Sequence, residues 1–396
     1  MGDVRVAVVG AGVCGVTTAL ELQALGVRDV VVLDARHPGD GSSGLSVGMV
    51  ETQYVEVPDI AVRAHGRRYY DAVERDHGLT FVRGGYLRTA HDGADLADYE
   101  RSVRRQREAG VPDAEVLDAA EIARRWPQLV VDDLTGGLYG PSDGHIDGYE
   151  YCTLAARLVR ERGGRVLPGT PLVGAESLPG GGWRLVTGRE PVEADVVVNA
   201  AGPWAGVVGD LLGAPVPLVP QLHGAVTVEL AAPLTPLLPF VMDYVPGSGQ
   251  AGVYFRSERA DQLVAGLHVE EAVAESVSPD VPLGRVDDAF LEELVERMGE
   301  RLADTDGAGI GRSWTGIYPM TPDHRPIVGR HPARADVVCA VGGGGNGIQL
   351  APAIGRVAAE ALTGAADPTF AATDPGWDPA RIADGAPAGP ASAQTP

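Results

Sequence analysis

The chain opens on a short apolar run, VAVV, that breaks at Gly10; VTTALEL then carries apolar residues at helical spacing, and a second apolar run, VVVLD, follows. This order predicts strand, helix and strand over residues 3–34. HPGDGSSGLSVGM is too rich in glycine and serine to predict a regular element. Helical periodicity returns in IAVRAHGRRYYDAVERDHG and in YERSVRRQREAG, the latter with arginines along its solvated face. GGLYGPSDGHIDGYEYC predicts loop, and CTLAARLVRERGG a helix stopped by a glycine pair. RVLPGTPLVGAESLP, GGWRLVTG and ADVVVNAAG predict strands, and the region around 216–270 breaks at Pro and Gly as antiparallel sheet does. LEELVERMGERL is an amphipathic helix, and ADVVCAVGGGGNGIQLAPAIGRVAAEAL repeats the opening order of strand, glycine turn and helix. Residues 383–396 are rich in Pro, Ala and Gly and are expected to be disordered.

Gly10, Gly12 and Gly15 have the G-x-G-x-x-G spacing, and Asp34 closes the second strand. Each residue answers a physical need. Gly10 allows a tight turn, Gly12 a close backbone approach to a pyrophosphate, and Gly15 helix–strand packing, while Asp34 can accept from ribose hydroxyls. The motif reads as a dinucleotide site and leaves NAD and FAD both open. Strand–glycine–helix units at the start, middle and end, with other material between, predict an α/β fold. A Rossmann-type dinucleotide domain (1–85, 145–220 and 310–366) is interrupted by a mainly antiparallel α+β substrate domain (86–144 and 221–309).

With 396 residues the chain can bury a sizeable core, and its net charge of −22 argues against nucleic acid and anionic membranes as partners. No apolar stretch has the length of a membrane span, and no signal peptide is expected before the first strand, which points to the cytoplasm. Cys14, Cys152 and Cys339 lack motif spacing and read as small buried residues. The chain contains no lysine, which removes Schiff-base chemistry and lysine general bases. His324 and His331 fit no zinc spacing, so no metal is expected. Gly44-Leu45-Ser46-Val47-Gly48 matches a hydrolase elbow but has no strand of its own before it.

Four segments together resemble the flavin-dependent amine and amino-acid oxidase family, which includes glycine oxidase, sarcosine oxidase and D-amino-acid oxidase: VAVVGAGVCGVTTALEL, VVVNAAGPWAG, SWTGIYPMTPDHRPIVGRHP and VGGGGNGIQLAPAIGRVAAEAL. The resemblance covers most of residues 3–365 and implies extended, non-covalent FAD, with its isoalloxazine ring at the domain boundary. It places Gly10, Gly12, Val13, Cys14 and Gly15 at the pyrophosphate turn, with Asp34, Ala35 and Arg36 at the adenosine ribose. Ser42, Ser43 and Ser46 fall along the phosphate and flavin-side linker, and Val173 where a backbone amide meets adenine. Ala200, Gly202 and Trp204 fall on a second pyrophosphate turn. Gly344, Gly345, Asn346, Gly347 and Ile348, with Gln349 beside them, fall at the flavin N1/C2=O edge. A glycine turn at a helix N-terminus suits that edge because it stabilises negative charge.

On the substrate side the resemblance points to Tyr254, His268 and Tyr318. It also exposes departures. Glycine oxidase has a carboxylate-binding arginine where this chain has Tyr318, and sarcosine oxidase a lysine where it has Gln349. The oxygen-activating lysine falls at Val264 and the flavin-tethering cysteine at Gly316. Arg256, on the strand face of Tyr254, is the nearest replacement for the clamp. The expected function is oxidation of a C–N bond of an amine or amino acid by hydride transfer to FAD, with oxygen or another electron acceptor completing the cycle. A nicotinamide dehydrogenase, a flavin-binding subunit of a heteromeric dehydrogenase and a 2-hydroxy-acid oxidoreductase are the alternatives. Self-association into a homo-oligomer is left open by the sequence.

Overall fold

The computed structural model describes residues 4–245, 248, 250–268 and 275–383. Its first layer is a six-stranded sheet in the order Ile327–His331, Arg334–Val341, Val196–Asn199, Arg5–Val9, Asp29–Leu33, Arg165–Leu167. All neighbours run parallel except the edge hairpin formed by the first two. Strands of such a sheet are covered on both faces, which is why they are runs of valine rather than alternations. Val6 and Val8 pack with the helices Val13–Ala24 and Gly347–Thr363, while Ala7 and Val9 join Trp183 and Leu185 on the opposite face. The two helices cross closely: a Cβ at Gly355 would lie 3.0 Å from the backbone of Thr17.

The second layer is an eight-stranded sheet in the order Gly309–Met320, Val219–Glu229, Gln262–His268, Gly252–Arg259, Phe240–Asp243, Tyr86–Ala90, Gly136–Gly140, Glu115–Asp118. Only the pairing of Phe240–Asp243 with Tyr86–Ala90 is parallel. One face packs on a core holding Leu87, Val241, Phe255 and Leu294, the last from the helix Asp288–Arg301. The other face carries Tyr86, Phe240, Met242 and Tyr254.

Three expectations change. Residues 310–320, read as part of the dinucleotide domain, belong to the strand Gly309–Met320, which pairs with Val219–Glu229 in the eight-stranded sheet and leads from it into the last glycine turn. HPGDGSSGLSVGM holds the helical turn Ser42–Leu45 and ends on the first residue of the strand Met49–Val50. GGLYGPSDGHIDGYEYC is no loop: it contains the strands Gly136–Gly140 and Gly144–Ile146 and the start of the helix Gly148–Glu161. Glycine there marks close approach rather than a turn, since a Cβ at Gly136 would lie 2.2 Å from the carbonyl oxygen of Leu117. Of the tail 383–396, only Ala383 is among the described residues. No helix of the described residues is long and apolar enough to cross a membrane.

Candidate active site

A cavity of about 690 Å³ runs along the carboxyl ends of the parallel strands, in the size range of small-molecule sites. Its first wall is the turn after Arg5–Val9. Gly10 has φ +107°, and a Cβ there would lie 2.3 Å from the carbonyl oxygen of Ala200. At Gly15 a Cβ would lie 1.9 Å from the carbonyl oxygen of Gly10, so this glycine serves packing and does not line the cavity. Gly12 differs: its φ is −72°, and a Cβ would meet only Ser43 Oγ, at 3.2 Å. Neither backbone nor packing demands glycine here, whereas a cofactor pressed against the backbone does.

Val13, Cys14, Ser42, Ser43 and Ser46 continue this wall. Ser43 Oγ accepts from the Val13 N–H at 3.0 Å, and Ser42 Oγ donates to the Ile317 carbonyl at 2.6 Å. Asp34 accepts from the Ala11 N–H at 2.6 Å and the Arg36 N–H at 2.7 Å, which fixes its carboxylate at the cavity edge beside Ala35. The Arg36 guanidinium lies over the Trp204 ring at 5.1 Å, and Ala200 and Gly202 line the adjoining turn. Val173 is not part of the cavity: its side chain is 58% exposed, and Thr170, Pro171 and Leu172 form that wall instead. Pro279–Val281 close the outer side, with Asp280 accepting from Trp204 Nε1 at 2.7 Å.

At the inner end, Gly344, Gly345, Gly347 and Ile348 form the last glycine turn and open the helix Gly347–Thr363. A second, smaller cavity begins there, and Ser46, Tyr318, Gly345 and Ile348 line both. Asn346 and Gln349 face this smaller space. Asn346 Oδ1 accepts from Gln349 Nε2 at 2.6 Å and from the Tyr54 hydroxyl at 3.0 Å, and Gln349 Oε1 accepts from the Glu51 N–H at 3.3 Å.

Tyr254 and His268 line the smaller cavity with Tyr86, Phe240 and Met242. Burial holds the Tyr254 phenol protonated, well above its ordinary range. Burial, with the charge of Arg88 and the nearby His223, pushes His268 down to about 3. Arg256 is not on the wall. Its Nη1 bonds Glu258, two residues along the same strand face, and Nη2 points to the Val47 carbonyl at 3.5 Å. The expected replacement clamp is thus already paired within its own strand.

Several wall residues were not anticipated. His223 stacks on Tyr318 and is pushed by burial down to about 4. Glu51, 1% exposed, is the one carboxylate on this wall among the described residues. It lies in ETQY, whose polar residues are all buried; a run of polar side chains reads as loop from sequence alone.

The wider comparisons agree with this geometry. L-proline dehydrogenase from P. horikoshii superposes with a TM-score of 0.83 at 25% identity, covering 98% of this chain and 99% of that one. Glycine oxidase from Geobacillus kaustophilus does so at 0.76 and 25%, covering 93% and 97%. Human mitochondrial sarcosine dehydrogenase is 29% identical over 89% of this chain but only 39% of its own length, so this chain spans about two fifths of that relative. The family model DAO, FAD dependent oxidoreductase, matches residues 5–361. With FAD as its cofactor, the chain therefore belongs to the FAD-dependent oxidoreductase family.

Proposed function

We propose that the protein oxidises a C–N bond of an amino acid or amine, with FAD in the larger cavity and substrate in the smaller one. The observation that carries this reading is the shared wall: Tyr318, Gly345 and Ile348 border both spaces, so a substrate among Tyr254, His268 and Phe240 meets the inner end of the cofactor cavity. The relatives' names, with glycine, sarcosine and L-proline as substrates, support a C–H next to nitrogen as the bond attacked. The residues of the two glycine turns, with Asp34 and Ser43, would hold FAD, which would supply a hydride acceptor at N5, with oxygen (giving hydrogen peroxide) or another electron acceptor completing the cycle.

The chain's residues bind, orient and exclude water. The substrate's α-C–H leaves with its electron pair as hydride while the nitrogen lone pair forms C=N, so the nitrogen must be unprotonated. The apolar part of the wall, Tyr86, Phe240 and Met242, favours that neutral form because it desolvates an ammonium ion, while the Glu51 carboxyl works against it. His223 and His268 are neutral and Tyr254 is protonated, so none of the three places a formal charge beside the amine. The glycine turn that opens Gly347–Thr363 lines the inner end of the larger cavity, and the positive end of that helix would favour the charge of a reduced cofactor there.

Anaerobic bleaching of the flavin by a panel of amines, amino acids and 2-hydroxy acids tests the reading. Bleaching by an amino acid or amine, with the imine hydrolysed to a carbonyl compound, is expected. Bleaching by hydroxy acids alone would replace the reading. A yellow protein that reacts with nothing until a partner is added would assign it to a flavin-binding subunit.

A further inference from the structure

The smaller cavity carries a carboxylate, Glu51, but no cation on its own wall among the described residues. Two cations share its sheet face among the described residues: Arg256, two residues beyond Tyr254 and already paired with Glu258, and Arg88. Tyr86 and Arg88 are two residues apart in Tyr86–Ala90, so their side chains leave the same side. In the adjoining strands Phe240 stands opposite Tyr86, Met242 opposite Arg88, and Tyr254 opposite Met242. Tyr86, Phe240, Met242 and Tyr254 all line the cavity. Arg88 is therefore the position next to Tyr86 and Met242 on the face whose four aromatic and methionine side chains enclose the substrate space.

Its bonding sets it apart. Arg63, Arg256 and Arg301 are buried, and each bonds a carboxylate: Asp59, Glu258, and Asp133 with Asp243. Arg88 forms no ion pair among the described residues, and its Nε and Nη2 are inaccessible to solvent without a hydrogen bond. These two nitrogens form the side-on edge of a guanidinium, the edge that grips a carboxylate bidentately. The rings of Tyr54 and Tyr86 lie 5.4 and 6.0 Å away, which cushions the charge but accepts nothing from the two N–H groups in the guanidinium plane. Its field reaches cavity residues on two sides, His268 and Glu51.

We propose that Arg88 binds the carboxylate of an amino-acid substrate through Nε and Nη2, taking the part that Tyr318 and Gln349 cannot play. The inference rests on the amino-acid reading above and narrows it to substrates with a free carboxylate. A carboxylate held there would be the counter-ion of a half-buried cation that has no ion pair among the described residues, and the substrate's apolar portion would lie along Tyr86 and Phe240.

The test uses FAD-loaded protein and reads perturbation of the flavin visible band by benzoate and by benzamide. Wild type is expected to respond to benzoate far more strongly than to benzamide. Arg88→Gln should weaken benzoate by roughly 10–100-fold, the worth of a charge-assisted bond, and leave benzamide unchanged. Arg88→Lys keeps the charge, loses the two-pronged edge and should weaken benzoate by less. Flavin content and melting temperature report folding, and the lysine variant carries the test if the glutamine variant does not fold. A wild type blind to benzoate, an unchanged benzoate affinity in both variants, or equal losses for benzoate and benzamide would overturn the proposal. If no amine or amino acid bleaches the flavin but benzoate binding still depends on Arg88, the reaction falls and the carboxylate site stands.

Discussion

The ring of His223 stacks on that of Tyr318, with centroids 3.8 Å apart and planes 17° from parallel. His223 lies in Val219–Glu229 and Tyr318 in Gly309–Met320, diagonal neighbours across an antiparallel pair. Tyr318 in turn presses on the last glycine turn, where a Cβ at Gly345 would lie 2.6 Å from its ring. The contact thus runs from the sheet through one phenol to the wall shared by the two cavities, and a change at His223 is felt where substrate and cofactor meet.

His223, together with His268, gives a pH dependence of stability. Burial lowers His223 to about 4 and His268 to about 3, below an unfolded value near 6.5. The unfolded chain then takes up protons that the folded chain refuses, so stability is unaffected above about pH 6.5 and falls as pH drops from there towards 4. The limiting slope is about 1.4 kcal/mol per pH unit for each histidine. His268→Gln should flatten the decline of melting temperature between pH 6.5 and 4 while leaving values at pH 8 close to wild type. An identical acid profile would show that His268 is charged in the folded protein.

Gly10 and Gly12 should fail differently. Gly10→Ala forces a side chain into positive φ and against the Ala200 carbonyl, so folding itself should suffer by more than about 1–2 kcal/mol. At Gly12 a Cβ meets only Ser43 Oγ, so the apo-protein of Gly12→Val should melt closer to wild-type apo-protein than Gly10→Ala does, yet retain little FAD. Flavin content after gel filtration, beside the melting temperature of each apo-protein, separates the two; full FAD binding by Gly12→Val would move the pyrophosphate elsewhere.

The cofactor should also be free of any covalent tether. Cys14 is the one thiol on the wall of the larger cavity among the described residues, and burial pushes it up to about 12, which leaves it un-ionised and unreactive. Gly316, the position matching a tethering cysteine, faces Leu45, with a Cβ 3.5 Å from that side chain. Acid precipitation should therefore leave all yellow colour in the supernatant; a yellow pellet would contradict this.

Glycine turns and valine strands were legible because their spacing is dictated by the backbone: Gly10 sits at positive φ, and Val6 to Val9 are covered on both faces. Side-chain partners are a different matter. Arg256 and Arg88 both follow apolar strand residues, and only pairing separates them. One hint was present, since Arg256 and Glu258 are two apart and hence on one face, while Arg88 has no such neighbour. The polar cluster of Glu51, Thr52, Gln53 and Asp143 was illegible, because it joins segments far apart in the chain through a fold that no local pattern encodes.

Asp143 lies in that cluster, fully buried, and accepts from Gln53 Nε2 at 2.5 Å, from Thr52 Oγ1 at 3.3 Å and from the Thr52 N–H at 3.4 Å. Burial, then the neighbouring Glu51, raises its pKa from 3.8 to about 8 despite Arg67 Nη1 at 3.9 Å. The folded chain thus keeps a proton that the unfolded chain releases above about pH 4, and this carboxyl costs stability progressively as pH rises from there to 8. Asp143→Asn preserves the shape and an acceptor oxygen while removing the ionisation. Its melting temperature should therefore gain on wild type as pH rises, with the difference greatest near pH 8 and smallest near pH 4. If the variant instead loses stability most at high pH, Asp143 is a carboxylate held by Arg67, and the burial argument fails at this site.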